Sequence, residues 1–219
     1  MIIIYHPINL VYLASVKTGS VSVKRYIENT LHHQYYNYHI ARSNRMDNYQ
    51  PNLMNFYLHS NITQVKQNVP GAENFKFFTS IRNPYKKLVS FYEYRHQEGW
   101  HLSPRENILT GLTYDWRTFE TWIKSMYDKH GHCHVDKNIY YENNIPACDH
   151  YIDTDNLYAD LDGLLQRYDI YKPNIERKIR NKGPEREKSI EEYYTPELKQ
   201  IVEESFKWEI NKFNYECKN

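Results

Sequence analysis

Glycine is scarce in this chain, and its placement excludes the two commonest nucleotide-binding loops. The 219 residues contain 7 glycines. No GxxxxGK[ST] run and no GxGxxG run is present. The sequence therefore lacks both the triphosphate-binding loop and the dinucleotide-binding fingerprint.

The chain also has few cysteines, no large excess of charge of one sign and no long apolar run. Cys133, Cys148 and Cys217 have no CxxC spacing, which argues against a disulfide framework or a zinc site. Lysine and arginine total 28 against 27 acidic residues, so the net charge of +1 does not favour a nucleic-acid partner. No apolar run reaches bilayer-spanning length, and we expect a soluble, cytoplasmic protein with no integral membrane segment.

The remaining composition is that of a globular protein. Hydrophobic residues make up 40% of the chain, including 22 tyrosines, which suits one sizeable core. We find no internal repeat or linker, and we expect a single domain over residues 1–219. Apolar runs alternate with helical patterns, which predicts an α/β fold with a central parallel sheet flanked by helices.

The hydrophobic pattern also predicts the individual elements. Strands are expected at 1–13 (the run MIIIYHPINLVYL, with its clearest part at 10–15), 75–81 and 151–153. Helices are expected at 20–31, 63–67, 84–97, 113–128, 157–168 and 195–213. Residues 32–60 are expected to be mostly loop, and the basic run 177–188 a surface loop.

One of the few glycines occupies the junction of the first strand and first helix, in the stretch VYLASVKTGSVSVKRYI (residues 11–27). Lys17 precedes Gly19, and small or hydroxyl residues follow. A helix N-terminus presents unpaired N–H groups and partial positive charge, so this junction is a candidate anion site.

A second motif, in FKFFTSIRNPYKKLVSFYEY, follows the strand at 75–81. It carries Arg82 at the strand end, Pro84 at the helix start and Ser90 two turns into the helix. A fixed guanidinium beside a hydroxyl is suited to holding a phosphate monoester.

Together the two motifs resemble those of the 3′-phosphoadenosine-5′-phosphosulfate (PAPS) dependent sulfotransferases, especially the carbohydrate and Golgi-type branch and its bacterial or viral relatives. In that family a P-K-T-[AG]-[GS]-[TS]-S loop binds the 5′-phosphosulfate. The matching residues here are Lys17, Thr18, Gly19, Ser20, Val21 and Ser22. The family's R-[DN]-P-x-x-R-x-x-S-x-Y motif binds the 3′-phosphate, and Arg82 and Ser90 match its two ligands.

The end of the chain is also similar to the family. A loop at Arg180, Asn181, Lys182 and Gly183 precedes the final helix, and the resemblance implies that this loop folds over the nucleotide. The resemblance therefore spans residues 10–216 and implies a P-loop-like sulfotransferase fold.

Three positions depart from the family pattern. Val16 stands where proline is usual, and Val21 replaces a hydroxyl that often contacts the 5′-phosphate. Lys87 stands in place of the second arginine. The loss of one hydrogen bond to a charged group is worth roughly 1.5–3 kcal/mol, which remaining backbone donors can offset.

The resemblance implies a mechanism and site roles. Sulfuryl transfer proceeds by in-line displacement, so positioning and electrostatics dominate. Lys17 is expected to neutralise charge on the bridging oxygen. The N–H groups of residues 19–22 and the hydroxyls of Thr18, Ser20 and Ser22 are expected to bind the 5′-phosphate. No metal is required.

An acceptor hydroxyl also needs a general base. His59 is the first candidate because of its position upstream of the strand at 75–81, and His134 is the second. Glu98 is a further alternative. His130, His132 and His134 alternate, but no carboxylate or cysteine spacing completes a metal-ligand set.

The expected function is thus sulfuryl transfer from PAPS to a hydroxyl, and the expected acceptor is a glycan or glycolipid. The aromatic-rich segments 32–60 and 96–150 are expected to build the acceptor site, which leaves a small alcohol or a tyrosine open as acceptors. The alternative is a catalytically inactive relative that binds a glycan or nucleotide. A nucleotide kinase is disfavoured, because no glycine precedes Lys17 and no magnesium-binding acid is evident after a strand.

Overall fold

The structure is a computed structural model that describes residues 2–5, 8–31, 38–41, 61–99, 106–107, 112–170 and 188–218. The strands are β1 (Ile2–Tyr5), β2 (Leu10–Leu13), β3 (Tyr38–Ala41), β4 (Lys76–Ile81), β5 (Glu106–Asn107), β6 (Leu112–Thr113), β7 (Tyr141–Glu142), β8 (Ile145–Pro146) and β9 (His150–Asp153). The helices are α1 (Ser20–Leu31), α2 (Ile62–Asn68), α3 (Pro84–Gln97), α4 (Phe119–His130), α5 (Lys137–Tyr140), α6 (Leu157–Gln166), α7 (Pro196–Ser205) and α8 (Lys207–Phe213).

The chain has an α/β fold built on a mixed sheet. Among the described residues the main sheet has five strands in the order β3-β1-β2-β4-β9. Strands β2, β4 and β9 are parallel, whereas β1 is antiparallel to both β2 and β3. The expected parallel arrangement is confirmed for three strands and is wrong for the β1 side of the sheet.

The opening apolar run is a hairpin and not the single strand expected from the sequence. Ile2 pairs with Leu13 and Tyr5 with Leu10. Asn9, with a φ of 49°, adopts the left-handed conformation before β2. The expectation of loop over residues 32–60 missed β3, which pairs with β1; the rest of that segment lies outside the described residues.

The chain divides into two compact units. Unit 1 comprises Met1–Ile81 and Asp136–Lys182, and unit 2 comprises Arg82–Val135 and Gly183–Asn219. The single domain over residues 1–219 stays a prediction. Within the described ranges, each helix is too short or too polar to span a lipid bilayer.

Unit 1 contains a core on one face of the main sheet, where α1 and α6 cover alternate residues of the strands. This alternation follows from the period of two in a β-strand. The fully or nearly fully buried members include Tyr12, Phe78 and Ile152 from strands, Val23 and Ile27 from α1, and Leu161, Leu164 and Leu165 from α6. This packing sets the position of the α1 N-terminus after β2.

Unit 2 has an aromatic core. Trp122 is fully buried and stacks on Trp116 with ring centroids 4.9 Å apart. The expected helix at 113–128 begins later, at Phe119, because the Thr118 hydroxyl caps it by accepting from the Thr121 N–H. The expected final helix is also divided, since it breaks at Phe206 into α7 and α8.

Candidate functional site

The loop of residues 14–19 lies at the carboxyl end of β2 in unit 1, directly before α1. The carboxyl ends of the parallel strands β2, β4 and β9 share this edge of the sheet. In open α/β sheets, ligands bind outside this edge. The predicted anion loop is therefore at the edge where such sites form.

Two residues of the loop have left-handed backbone conformation, Lys17 with a φ of 56° and Gly19 with a φ of 69°. A Cβ added to Gly19 would meet Leu157 Cδ2 at 3.8 Å, an ordinary contact distance. Glycine is therefore favoured here by the backbone conformation and not by lack of space. Left-handed residues in such turns create backbone concavities that bind anions.

Lys17 is an unusual residue for that conformation. A left-handed backbone costs a non-glycine residue roughly 1–2 kcal/mol, and glycine or asparagine normally occupies such positions. Strained residues of this kind concentrate at functional sites. The partly exposed Lys17 is therefore the residue of this loop whose backbone conformation marks it as a candidate for a functional role.

The N-terminus of α1 completes the loop. The Gly19 carbonyl accepts from the Ser22 N–H at 2.8 Å and the Val23 N–H at 3.0 Å. The first turn holds no acidic residue, so nothing within it offsets the partial positive charge of the helix end. Val21 is 40% exposed there, and at this position it offers an anion only its backbone N–H.

Two of the hydroxyls expected to bind the 5′-phosphate are buried inside the protein. Thr18 is fully buried, and its Oγ1 donates to the Ser15 carbonyl at 3.0 Å. Ser22 is 4% exposed, so its hydroxyl is also enclosed by the protein. Backbone N–H groups, the Ser20 side chain and Lys17 are thus the groups that this loop can offer to an anion.

Asp136 is a site residue that the sequence reasoning missed. It is fully buried, and its Oδ2 accepts from the Val16 N–H at 3.0 Å and from the Ser15 hydroxyl. The residue is 121 positions from Ser15, in a histidine-rich segment with no motif around it. No local signal could have linked it to the loop.

Arg82 and Ser90, the residues expected to bind the 3′-phosphate, lie in unit 2 and are both partly exposed. Asn83 caps α3 as expected: its side-chain oxygen accepts from the Tyr85 N–H at 3.0 Å, and its amide donates to the Glu216 carbonyl at 2.8 Å. These bonds fix the start of α3 beside Arg82. Lys87, which replaces the family's second arginine, is 1% exposed.

The three candidate general bases differ in where they lie and in what they contact. His134 is buried in unit 2, where its Nε2 lies 2.9 Å from Glu209 Oε1 and its ring stacks on Phe206 with centroids 4.1 Å apart. Because its side chain is 0% exposed, the second candidate base is inaccessible to an acceptor. Glu98 forms an ion pair with Arg95 at 2.7 Å. His59 lies outside the described residues.

The remaining predictions concern the loop at residues 180–183 and the histidine-rich segment as a metal site. Arg180, Asn181, Lys182 and Gly183 lie outside the described residues. Within the part of the chain that the structure describes, no cluster of histidine, cysteine, aspartate and glutamate could hold a metal ion. His130 instead shares a 2.6 Å hydrogen bond between its Nε2 and the Tyr114 hydroxyl.

The burial of His134 gives a testable expectation. His134→Gln should lower thermal stability, because a buried hydrogen bond to Glu209 is altered. Thermal unfolding of the variant and of the unaltered protein checks this, and an unchanged melting temperature would show that the bond to Glu209 does not stabilise the fold.

Searches against protein-family models, curated proteins and solved structures found no match for this chain.

Proposed function

We propose that this protein is a PAPS-dependent sulfotransferase with a P-loop-like fold, which transfers the sulfuryl group to a hydroxyl of a glycan or glycolipid. The observation that carries the proposal is the loop after β2. There a lysine is held in a left-handed conformation beside Gly19, at the N-terminus of a helix whose first turn has no acid. This arrangement suits an anionic group that gains charge during reaction.

The proposed roles follow from the chemistry of each group. The backbone N–H groups of residues 19–21, with the Ser20 side chain, bind the 5′-phosphosulfate, since the Ser22 N–H already donates to the Gly19 carbonyl. Lys17 neutralises the oxygen that bridges sulfur and phosphorus. Arg82 and Ser90 bind the 3′-phosphate, since a guanidinium forms paired hydrogen bonds with phosphate oxygens.

Group transfer then exchanges one S–O bond for another. The bond between sulfur and the 5′-phosphate oxygen breaks, and a bond from sulfur to the acceptor oxygen forms. The acceptor proton passes to a general base, for which His59 is proposed, and adenosine 3′,5′-bisphosphate leaves. Residues 180–183 are proposed to cover the nucleotide.

Thermal unfolding with two nucleotides tests the binding half of this proposal. Adenosine 3′,5′-bisphosphate should raise the melting temperature well above the effect of 5′-AMP, because only the former engages Arg82 and Ser90 through a 3′-phosphate. A ligand at a hundredfold its Kd stabilises the native state by about 2.7 kcal/mol, which is readily measured.

The matched control is Arg82→Ala. In that variant the difference between the effects of the two nucleotides should shrink markedly, because one of the two groups that bind the 3′-phosphate is gone. Equal effects of both nucleotides on the unaltered protein would show that Arg82 and Ser90 are misassigned, and no effect of either would refute nucleotide binding.

A transfer assay with PAPS and a panel of glycans tests the catalytic half. We expect sulfated product with at least one glycan. Binding of adenosine 3′,5′-bisphosphate without transfer to any glycan, phenol or small alcohol would instead favour an inactive nucleotide-binding protein.

A further inference from the structure

A line of buried hydroxyl groups in unit 1 connects the sheet to the Lys17 loop. The Tyr12 hydroxyl lies 2.7 Å from Ser80 Oγ, and Ser80 Oγ lies 2.8 Å from Thr18 Oγ1. Thr18 Oγ1 is in turn 3.0 Å from the Ser15 carbonyl oxygen. Tyr12, Ser80 and Thr18 are each 0% exposed, so water does not compete for these bonds.

The direction of each bond follows from the number of protons. A carbonyl only accepts, so the single Thr18 hydroxyl proton is donated to Ser15. Thr18 must then accept from Ser80, and Ser80, having used its own proton, must accept from Tyr12. The bonds therefore run in one direction, from Tyr12 through Ser80 and Thr18 to the Ser15 carbonyl.

Thr18 stands between the two left-handed residues, Lys17 and Gly19. Its hydroxyl is hydrogen-bonded both to Ser80 of β4 and to the carbonyl of Ser15, near the start of the loop. Holding this side chain limits rotation of the peptide groups on either side of Thr18. Those peptide groups belong to the turn that presents N–H donors and the Lys17 side chain.

We propose that Ser80 is a positioning residue for the anion loop, and that its bond to Thr18 holds the loop in the conformation that binds the 5′-phosphate end of the donor nucleotide. Ser80 itself contacts no ligand in this scheme. The inference rests on the proposed function, because it assumes that the loop binds that phosphate.

Ser80→Ala and Thr79→Val form a matched pair for the test. Thr79 is the neighbour of Ser80 on β4, is equally buried, and its hydroxyl donates to the Leu13 carbonyl at 2.7 Å. Each substitution removes one buried hydroxyl from the same strand, but only Ser80→Ala removes a bond to the loop. Thr18→Val breaks the same bond from the loop side, and Thr18→Ser retains the hydroxyl.

Two measurements are needed, the Kd of adenosine 3′,5′-bisphosphate by calorimetry and the hydrogen exchange of the amides of residues 17–22. Ser80→Ala and Thr18→Val should each weaken binding about tenfold, the change produced by losing one orienting hydrogen bond. Both should accelerate exchange across the loop. Thr79→Val should change neither, and Thr18→Ser, which keeps the hydroxyl, should lie closer to the unaltered protein than Thr18→Val in both measurements.

Hydrogen exchange of the loop and nucleotide affinity are both needed, because together they distinguish failure of this inference from failure of the proposed function. If the unaltered protein does not bind the nucleotide, the proposed function fails, while faster loop exchange in Ser80→Ala alone still supports the positioning role. If Ser80→Ala matches Thr79→Val in both measurements, the positioning role is refuted. The same comparison made with Thr18→Val decides the matter should Ser80→Ala not fold.

Discussion

On the proposed function, replacing Lys17 by glycine should remove sulfate transfer, and the glycine variant should be more stable to unfolding than the matched Lys17→Ala variant. The lysine has a φ of 56°, and relief of a left-handed conformation is worth about 1 kcal/mol, partly offset by the greater backbone entropy of glycine in the unfolded chain. Loss of a cation aimed at charge that develops in the transition state should lower kcat by roughly 10³-fold.

Loss of activity in both variants, together with a difference in stability between them, makes the pair Lys17→Gly and Lys17→Ala a sharper test than loss of activity alone. Urea unfolding measures the free energy of unfolding, and kcat with saturating PAPS measures the chemical step. Lys17→Ala should lose activity equally without the gain in stability, since alanine bears a Cβ and keeps the strain. An unchanged kcat in either variant would remove Lys17 from the mechanism.

Lys24 provides the control for a general effect of charge. It lies in α1, one turn into the helix and partly exposed. Lys24→Ala should leave kcat within about twofold, because a partly exposed charge on the helix is screened by solvent and salt. A similar loss in both lysine variants would mean that net positive charge near the helix, and not Lys17 itself, supports transfer.

Asp136→Ala should cause the largest loss of stability among the loop variants. Asp136 is fully buried and is the acceptor for both the Val16 N–H and the Ser15 hydroxyl. Its removal leaves two buried donors without that acceptor, at about 1–3 kcal/mol each. We therefore expect the free energy of unfolding to fall by about 2–6 kcal/mol, with the denaturant slope unchanged.

Asp136→Asn is the matched variant for this experiment. The asparagine carbonyl oxygen can still accept from Val16 and Ser15, so the loss should be well below that of the alanine variant. An alanine variant within about 0.5 kcal/mol of the unaltered protein, the range of an ordinary surface change, would show that Asp136 does not support the loop.

The sequence alone determined the elements whose signals are local. Helix α3 was predicted at its observed bounds, because Asn83 caps it through the Tyr85 N–H two residues away and Pro84 provides its first turn. Helix α1 and strand β4 were recognised from short-range hydrophobic periodicity. The strand–loop–helix placement of Lys17 and Gly19 was recognised for the same reason.

The tertiary structure alone decided the features that depend on distant partners. The reversal of β1 and its pairing with β3 depend on edge pairing, which hydrophobic alternation does not specify. The hydrogen bond between Thr18 and Ser80 joins residues 62 positions apart. The hydrogen bond from the Val16 N–H to Asp136 joins residues 120 positions apart. Such bonds form only when folding brings remote, buried polar groups together and each must find a partner. The sequence therefore marked where the candidate anion loop starts, and the tertiary structure determined which of its groups remain for the proposed ligand.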